Sequence, residues 1–388
     1  MLYIGRTTWR DPRVFGTPTE DRRSHAYIVG KTGTGKSTLM EFMLRQDIAC
    51  GRGVALLDPH GDLVTRIEQW IPQSRRDDVV YLDVPNPSSS ESLNPLESVP
   101  VLRRSVVAAG LVAALKKVFA ESWGVRMEYV LRNALLLLLD QPESTIADIR
   151  RLLTDDDFRR EAARRATHPP VGEFWAHEFE LYPAGRVRAE VISPILNKVG
   201  PFLTDPFLHR IVGASKSTFL PRALMDSGKI LLVNLAKGKI GEGPSALFGS
   251  LLLSVLALAA LGRADAPSNN RPDFFVYADE FQTYTTTVVA EMLAELRKYG
   301  VGLILANQFL DQVDQSIRNA IIGNVGTLIA FRVGATDAAL LAREFSPELS
   351  RDDLLGFPNR HFAIRMLAKG EALRPFTART IDIRAAPD

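Results

Sequence analysis

The 388-residue sequence holds a single cysteine, Cys50, so it forms no internal disulfide and no cysteine-rich zinc site, and it suits a reducing compartment. Cys50 reads as a small buried filler behind the first long helix. Charge of one sign is also lacking: 47 basic and 45 acidic residues leave +2. No whole-chain field therefore points to nucleic acid or an anionic membrane, and any such surface must be local. Long apolar runs are scarce. The longest, 246–261, contains Ser250 and Ser254 and falls short of the ~20 residues of a membrane span, so it reads as a buried helix. The first residues include Arg6, Arg10, Asp11 and Arg13 and offer no signal-peptide core. No internal repeat is visible. What these absences leave is a cytoplasmic globular protein whose 46% hydrophobic content is enough for a full core.

What is present centres on residues 26–39, AYIVGKTGTGKSTL, an apolar run feeding a glycine-rich loop. Gly30, Gly35, Lys36 and Ser37 satisfy the spacing G-x-x-x-x-G-K-[ST], in which glycines let successive backbone N–H groups converge on phosphates. The cradle extends over Gly30, Thr32, Gly33, Thr34, Gly35, Lys36, Ser37 and Thr38. Lys36 is expected to reach the β- and γ-phosphates and Ser37 to ligate Mg²⁺. Leu39, Phe42 and Met43 then recur at helical spacing, so a helix N-terminus also faces the anion.

Further apolar runs each end in polar residues, as buried parallel strands do where their C-terminal ends open onto a ligand crevice. Residues 53–57 lead into Asp58, which reads either as a polar group near Mg²⁺ or as a turn and helix cap. Residues 229–235 lead into a loop with Lys237 and Lys239, and 274–278 into Asp279-Glu280. Beside a phosphate loop, Asp279 can hold the Mg²⁺ shell and Glu280 can polarise an attacking water. Residues 301–306 lead into Asn307-Gln308, where Gln308 either bonds the water or γ-phosphate or is a solvated amide. Arg297, near the end of a helix at 288–299, either projects into a neighbouring subunit's site or pairs on the surface with Glu295 or Glu291.

Between 99 and 217 the β-branched runs give way to helical periodicity, with helices expected at 102–119, 127–139, 145–153 and 156–166. Arg159, Arg160, Arg164 and Arg165 alternate with acidic residues and read as a solvated face. Phe174-Trp175 and Trp123 read as core or interface anchors, and 263–271 as a disordered linker. The expected fold is α/β, a RecA-like P-loop NTPase with a mostly parallel central sheet: an arm or hairpin at 1–20, an ATPase domain at 21–98 and 218–388, and an all-α insertion at 99–217.

GKTGTGKS, LLDPHGDL, SLNPL, KILLVNLAKGKIG, FFVYADEF, LRKYGVGLILANQ and FRVGATDA together resemble the HerA/FtsK superfamily of DNA-pumping ATPases. Within it the sequence is most similar to the type IV secretion coupling proteins of conjugative DNA transfer. The likeness runs from 21 to about 380 and includes the stretch from Glu121 to Met127 in the helical insertion. It implies ATP with Mg²⁺, a homo-hexameric ring, DNA in a central channel, and an arginine finger at Arg297, with Arg332 a weaker candidate. Lys237 and Lys239 become candidate DNA-gripping residues, and a relaxase or secretion channel the candidate partner. Coupling proteins usually carry N-terminal membrane helices, whereas this sequence starts with a short soluble arm; attachment to the inner membrane would then be peripheral, through a partner. The alternatives are a HerA-like DNA end-processing motor working with a nuclease, and a nucleotide-controlled adaptor that recruits protein cargo without pumping.

Overall fold

Short aliphatic and aromatic runs, most of them buried on both faces, form the strands of an 11-stranded sheet in the computed structural model. The structure describes residues 1–9, 11–97, 99–183, 185–286 and 288–382, with the side chains at 118, 121, 201, 202 and 288 outside that description. Arg10 and the side chain of Glu121, both noted in the sequence, lie outside the described residues. The strands are β1 (Leu2–Thr7), β2 (Val14–Thr17), β3 (Ala26–Val29), β4 (Gly53–Asp58), β5 (Val79–Asp83), β6 (Ile230–Asn234), β7 (Phe274–Ala278), β8 (Val301–Asn307), β9 (Thr327–Ala330), β10 (His361–Arg365), β11 (Leu367–Ala368), β12 (Glu371–Ala372) and β13 (Phe376–Arg379). Their order is β2-β1-β13-β10-β9-β3-β8-β7-β4-β6-β5, and β11 and β12 pair separately.

The run β9-β3-β8-β7-β4-β6 is parallel throughout. From β9 outward the pairing turns antiparallel, through β10, β13, β1 and β2. The N-terminal hairpin expected at 1–20 is thus the edge of the same sheet. Since the parallel strands share a direction, the residues after β3, β4, β6, β7 and β8 collect along one edge.

By compactness the chain divides into Met1–Tyr81, Arg222–Leu235 and Ala259–Asp388 as one unit, and Leu82–Pro221 with Ala236–Leu258 as a second. In the first unit the helix Lys36–Ala49 follows β3 and is anchored to β7 by a buried polar knot. Arg22 makes a bidentate pair with Asp47 on that helix at 2.5 and 2.6 Å, and the Tyr277 hydroxyl of β7 donates to Asp47 Oδ2 at 2.5 Å. Arg52 adds a third donor at 3.2 Å, and the Arg22 guanidinium lies 3.6 Å over the Phe275 ring. Such a knot is stable only when every member is satisfied, as here. The stretch 263–271 is not a disordered linker. Arg263 is fully buried and donates to Asp226, Tyr299 O and Pro272 O, which ties the segment down. Cys50 is exposed, not buried, because the helix ends at Ala49 and Cys50 falls in its terminal turn.

The second unit is helical, with Arg104–Val118, Val125–Leu138, Asp148–Thr154, Asp156–Arg164 and Arg186–Thr204 as its principal early helices. The third starts later than expected because Asp148 reaches back to the Thr145 N–H at 2.8 Å. Arg159 does not belong to a solvated face: it is 1% exposed, pairs with Glu180 at 3.0 Å, and lies over Phe179. Arg160, Arg164 and Arg165 are surface residues paired with Asp157 and Glu161. Phe174 and Trp175 are core residues, the indole N–H donating to Asn133 O at 3.1 Å. Among the described residues one helix, 242–265, is long and apolar enough to cross a membrane, and 67% of its most apolar window is buried inside the protein.

Candidate functional site

The loop after β3 leaves the sheet between β8 and β9, the strands that flank β3. Gly30 is required there by space, since a Cβ would stand 2.6 Å from Phe331 Cβ, and Gly35 by conformation, with φ +118°. Lys36 opens the helix Lys36–Ala49 and is buried. Its ammonium folds back to donate to Gly30 O at 2.6 Å and Lys31 O at 3.3 Å. Burial lowers the Lys36 pKa, opposed by the nearby Glu280 and Asp279 carboxylates.

Asp279 and Glu280 follow β7 and are both buried. Ser37 Oγ donates to Asp279 Oδ2 at 3.2 Å, which brings the two residues expected to share a metal together. Burial pushes Asp279 up to about 6, helped by repulsion from Asp58 and Glu280 and opposed by Lys36. Glu280 sits in the left-handed region at φ 44°, a conformation that costs a non-glycine residue free energy and is held by its surroundings. Its Oε1 accepts from Gln308 Nε2 at 2.7 Å and its Oε2 from Gln282 Nε2 at 2.5 Å, while Gln308 Oε1 accepts from Thr32 Oγ1 at 2.9 Å. A hydrogen-bonded chain thus runs from the phosphate loop through the end of β8 to the end of β7. Tyr284, buried, donates to Asp279 O at 2.5 Å and fixes the turn from beneath.

Asp58 is a cap. Its Oδ2 accepts from the N–H groups of Leu63 and Val64 at 2.8 and 3.0 Å and its Oδ1 from His60 N at 2.9 Å, so its influence on the site is that of a fixed negative neighbour. Arg332 is a brace, donating to Phe357 O at 3.1 Å and Asn359 Oδ1 at 2.9 Å. Arg297 stands apart from the cluster, in a 3-10 turn, Leu296–Tyr299, that extends the helix Val288–Glu295. It is exposed, and its guanidinium has no hydrogen bond or ion pair among the described residues; Glu295 pairs with Lys298 instead. The expected surface pair to Glu295 or Glu291 is therefore not made. Lys237 and Lys239 lie on the short helix Lys237–Ile240 of the second unit, half-buried and exposed respectively.

Two residues with no sequence signal complete the cradle. A cavity of about 390 Å³ is lined by Thr32, Gly33, Gly35 to Thr38 and Gln308, and also by Asn359 and Arg360. These arrive from the turn before β10, which reaches β3 only through β9, so no local pattern marks them. The site as built can do three things: cradle an anion on loop amides, hold a cation between Ser37 and Asp279, and present a buried, hydrogen-bonded carboxylate at Glu280. The residues fit Mg²⁺ with a nucleotide, since buried carboxylates face a loop that would otherwise leave their charge uncompensated.

Comparison with known proteins bears on the fold that carries this site. The family model described as "Helicase HerA, central domain" matches residues 18–123. No curated protein matches the chain by sequence. Among solved structures, the bacterial conjugative coupling protein TrwBdeltaN70 superposes with a TM-score of 0.66 at 14% identity, over 97% of this chain and 88% of that one. TrwB in complex with ADP and Mg²⁺ gives 0.65 at 14% identity, over 93% and 86%. VirB4 of Thermoanaerobacter pseudethanolicus gives 0.66 at 13% identity, over 100% and 96%. Residues 18–123 are thus similar to the HerA central domain, and the chain as a whole shares the RecA-like P-loop fold of the conjugative coupling protein and VirB4.

Proposed function

We propose that this protein is a Mg²⁺-dependent ATPase that moves DNA through a ring of its own copies, in the manner of conjugative coupling proteins. The observation that carries the reading is the set gathered at one sheet edge, Lys36, Ser37, Asp279, Glu280 and Gln308, with Arg297 exposed, unpaired among the described residues and outside it. In this reading Lys36 releases its loop carbonyls to take the β- and γ-phosphates. Glu280, held by Gln308 and Gln282, accepts the proton of the attacking water. Gln308 links that event to the phosphate loop through Thr32. Bound Mg²⁺ would be held by Ser37 and Asp279 and would neutralise developing phosphate charge. Arg297 completes the site of the next subunit in the ring. The choice of ligands is supported by TrwB, which shares the fold and whose structure in complex with ADP and Mg²⁺ is solved.

ATPase rates measured with and without single- and double-stranded DNA, across salt, test the reading. Stimulation by DNA that weakens with salt is expected, because phosphate contacts release counterions. Replacing Lys237 and Lys239 by Ala should lower the log–log salt slope by roughly 1 for each phosphate no longer neutralised. Equal rates with and without DNA at every salt would refute the motor. Glu280→Gln should still bind ATP but turn over roughly 10²- to 10⁴-fold more slowly. Arg297→Ala mixed with Lys36→Ala should recover activity that neither has alone; no recovery in mixed rings would remove the arginine from the neighbouring site. The HerA family match favours one second reading, a DNA end-processing motor. Co-purification with a nuclease, together with nuclease-dependent ATPase stimulation, would select it.

A further inference from the structure

The turn at Asn359-Arg360 is pinned to the phosphate loop by its backbone while the arginine head is mostly exposed, in a long ion pair with Asp382. Arg360 N donates to Thr34 O at 2.7 Å, and Arg360 O accepts from Thr380 N at 2.9 Å. Its Cα and Cγ stand 3.4 and 3.6 Å from where a Cβ on Gly35 would be, so loop and turn are in van der Waals contact. Arg332 clamps the same turn through Phe357 O and Asn359 Oδ1. Arg360 is further held at φ 67°, a left-handed conformation an arginine adopts only where its surroundings impose it. Against this rigid backbone, the side chain is 60% exposed, lines the cradle cavity, and makes a long, exposed ion pair of 3.8 Å with Asp382, which is not a hydrogen bond.

We propose that Arg360 is a nucleotide-binding residue of its own subunit that grips the part ADP and ATP share, a nucleoside diphosphate. The inference rests on the nucleotide reading of the cradle. Gly35 belongs to the loop whose amides hold the α- and β-phosphates, and Arg360 packs against that glycine. The γ-phosphate end is served by Lys36, Glu280 and Gln308. A guanidinium beside the diphosphate binds substrate and product alike, so it raises affinity for both without favouring the transition state. Arg360 is thereby separated in role from Arg297, whose loss should act on turnover.

Arg360→Gly removes the side chain while keeping the left-handed backbone unstrained, and Arg360→Lys keeps the charge without the fork. Affinities for ADP and a non-hydrolysable ATP analogue, with kcat and KM, are measured on the full chain. Expected is a roughly 10- to 100-fold loss of affinity for both nucleotides in Arg360→Gly, partial recovery in Arg360→Lys, KM raised to match, and kcat within about twofold of wild type. Nucleotide affinity unchanged in Arg360→Gly, or a fall in kcat at unchanged KM, would overturn the assignment. Failure of the wild-type protein itself to bind either nucleotide would instead overturn the reading of the cradle. An unchanged urea midpoint for Arg360→Gly shows that the affinity change is not a folding defect.

Discussion

Asp279→Asn should stabilise the nucleotide-free protein, in a way that depends on pH. Burial and the neighbouring Asp58 and Glu280 raise Asp279 from 3.8 to about 6, a difference of roughly 2 units and about 3 kcal/mol at 1.36 kcal/mol per unit. The sign follows from linkage. A carboxyl whose pKa is higher in the folded state than in the unfolded one is favoured protonated by folding. Its contribution is full below about pH 3.8 and is lost as the pH rises through about 6. The amide of Asn carries no charge to lose. It has one acceptor oxygen for the two bonds the carboxylate now accepts, from Ser37 Oγ and from Glu280 N, so it forfeits one of them, about 1 kcal/mol. The net expectation is a variant slightly less stable than wild type near pH 4 and about 2 kcal/mol more stable above pH 7. Urea unfolding in EDTA without nucleotide, at half-unit steps of pH, reads this as a midpoint difference that grows with pH to roughly 0.5–1 M. A difference independent of pH, or a variant less stable than wild type at pH 8, would refute the argument. The same substitution should abolish Mg²⁺-dependent nucleotide binding, so stability and function move in opposite directions.

Tyr277→Phe removes the buried hydroxyl that donates to Asp47 and accepts from Arg22, and should cost about 1–3 kcal/mol in urea unfolding. Asp47→Ala, which strands Arg22 in the interior, should cost about 3–5 kcal/mol. His25 accepts from Leu303 N at Nδ1 (3.0 Å), so its Nε2–H donates to Leu293 O at 3.2 Å, and burial lowers its pKa to about 4. His25→Leu should therefore cost about 1–3 kcal/mol for each of the two backbone groups it strands, with the same deficit at pH 6 and pH 8 because the imidazole stays neutral across that range. Gly35→Ala combines a φ of +118° with a Cβ only 3.3 Å from Phe331, and isothermal titration should show nucleotide binding lost at ligand concentrations that saturate wild type.

The parts of the site that could be read in the sequence are those whose chemistry is local to one strand end. GKTGTGKS, Asp279-Glu280 and Gln308 each sit immediately after an apolar run, and parallel pairing alone brings them to one edge. Asn359 and Arg360 were unreadable because they reach the loop through antiparallel β10 and β9, a relation no spacing encodes. Arginines were the other blind spot. Arg159 and Arg263 look like surface residues by type, yet both are buried because Glu180 and Asp226, distant in sequence, accept from them. Asp58 could be read two ways because a strand-end carboxylate can face a ligand or cap a helix, and only the N–H groups of Leu63 and Val64 decide it. Cys50 depended on where a helix stops, and one residue at a helix terminus separates burial from exposure.

The charge arrangement within one chain bears on the proposal of a site shared between chains. Three buried carboxylates, Asp58, Asp279 and Glu280, face one buried ammonium, Lys36. Asp58 is capped by three backbone N–H groups, and Asp279 has a raised pKa through burial first and then the neighbouring Asp58 and Glu280 charges, opposed by Lys36. A divalent cation between Ser37 and Asp279 would settle Asp279 and Glu280, but a nucleotide triphosphate brings more negative charge than the ion supplies. Arg360 is the further cation this chain holds at the cavity wall, and it packs against Gly35. At the γ-phosphate end, where charge would develop during transfer, Lys36 is the cation this chain places beside Asp279 and Glu280. In the proposed function, phosphoryl transfer draws its rate from positioned positive charge at that end, and a second cation there would come from a neighbouring subunit. Arg297, exposed, without an ion-pair partner among the described residues and carried on a turn of the same fold, is the residue we propose a neighbouring copy offers.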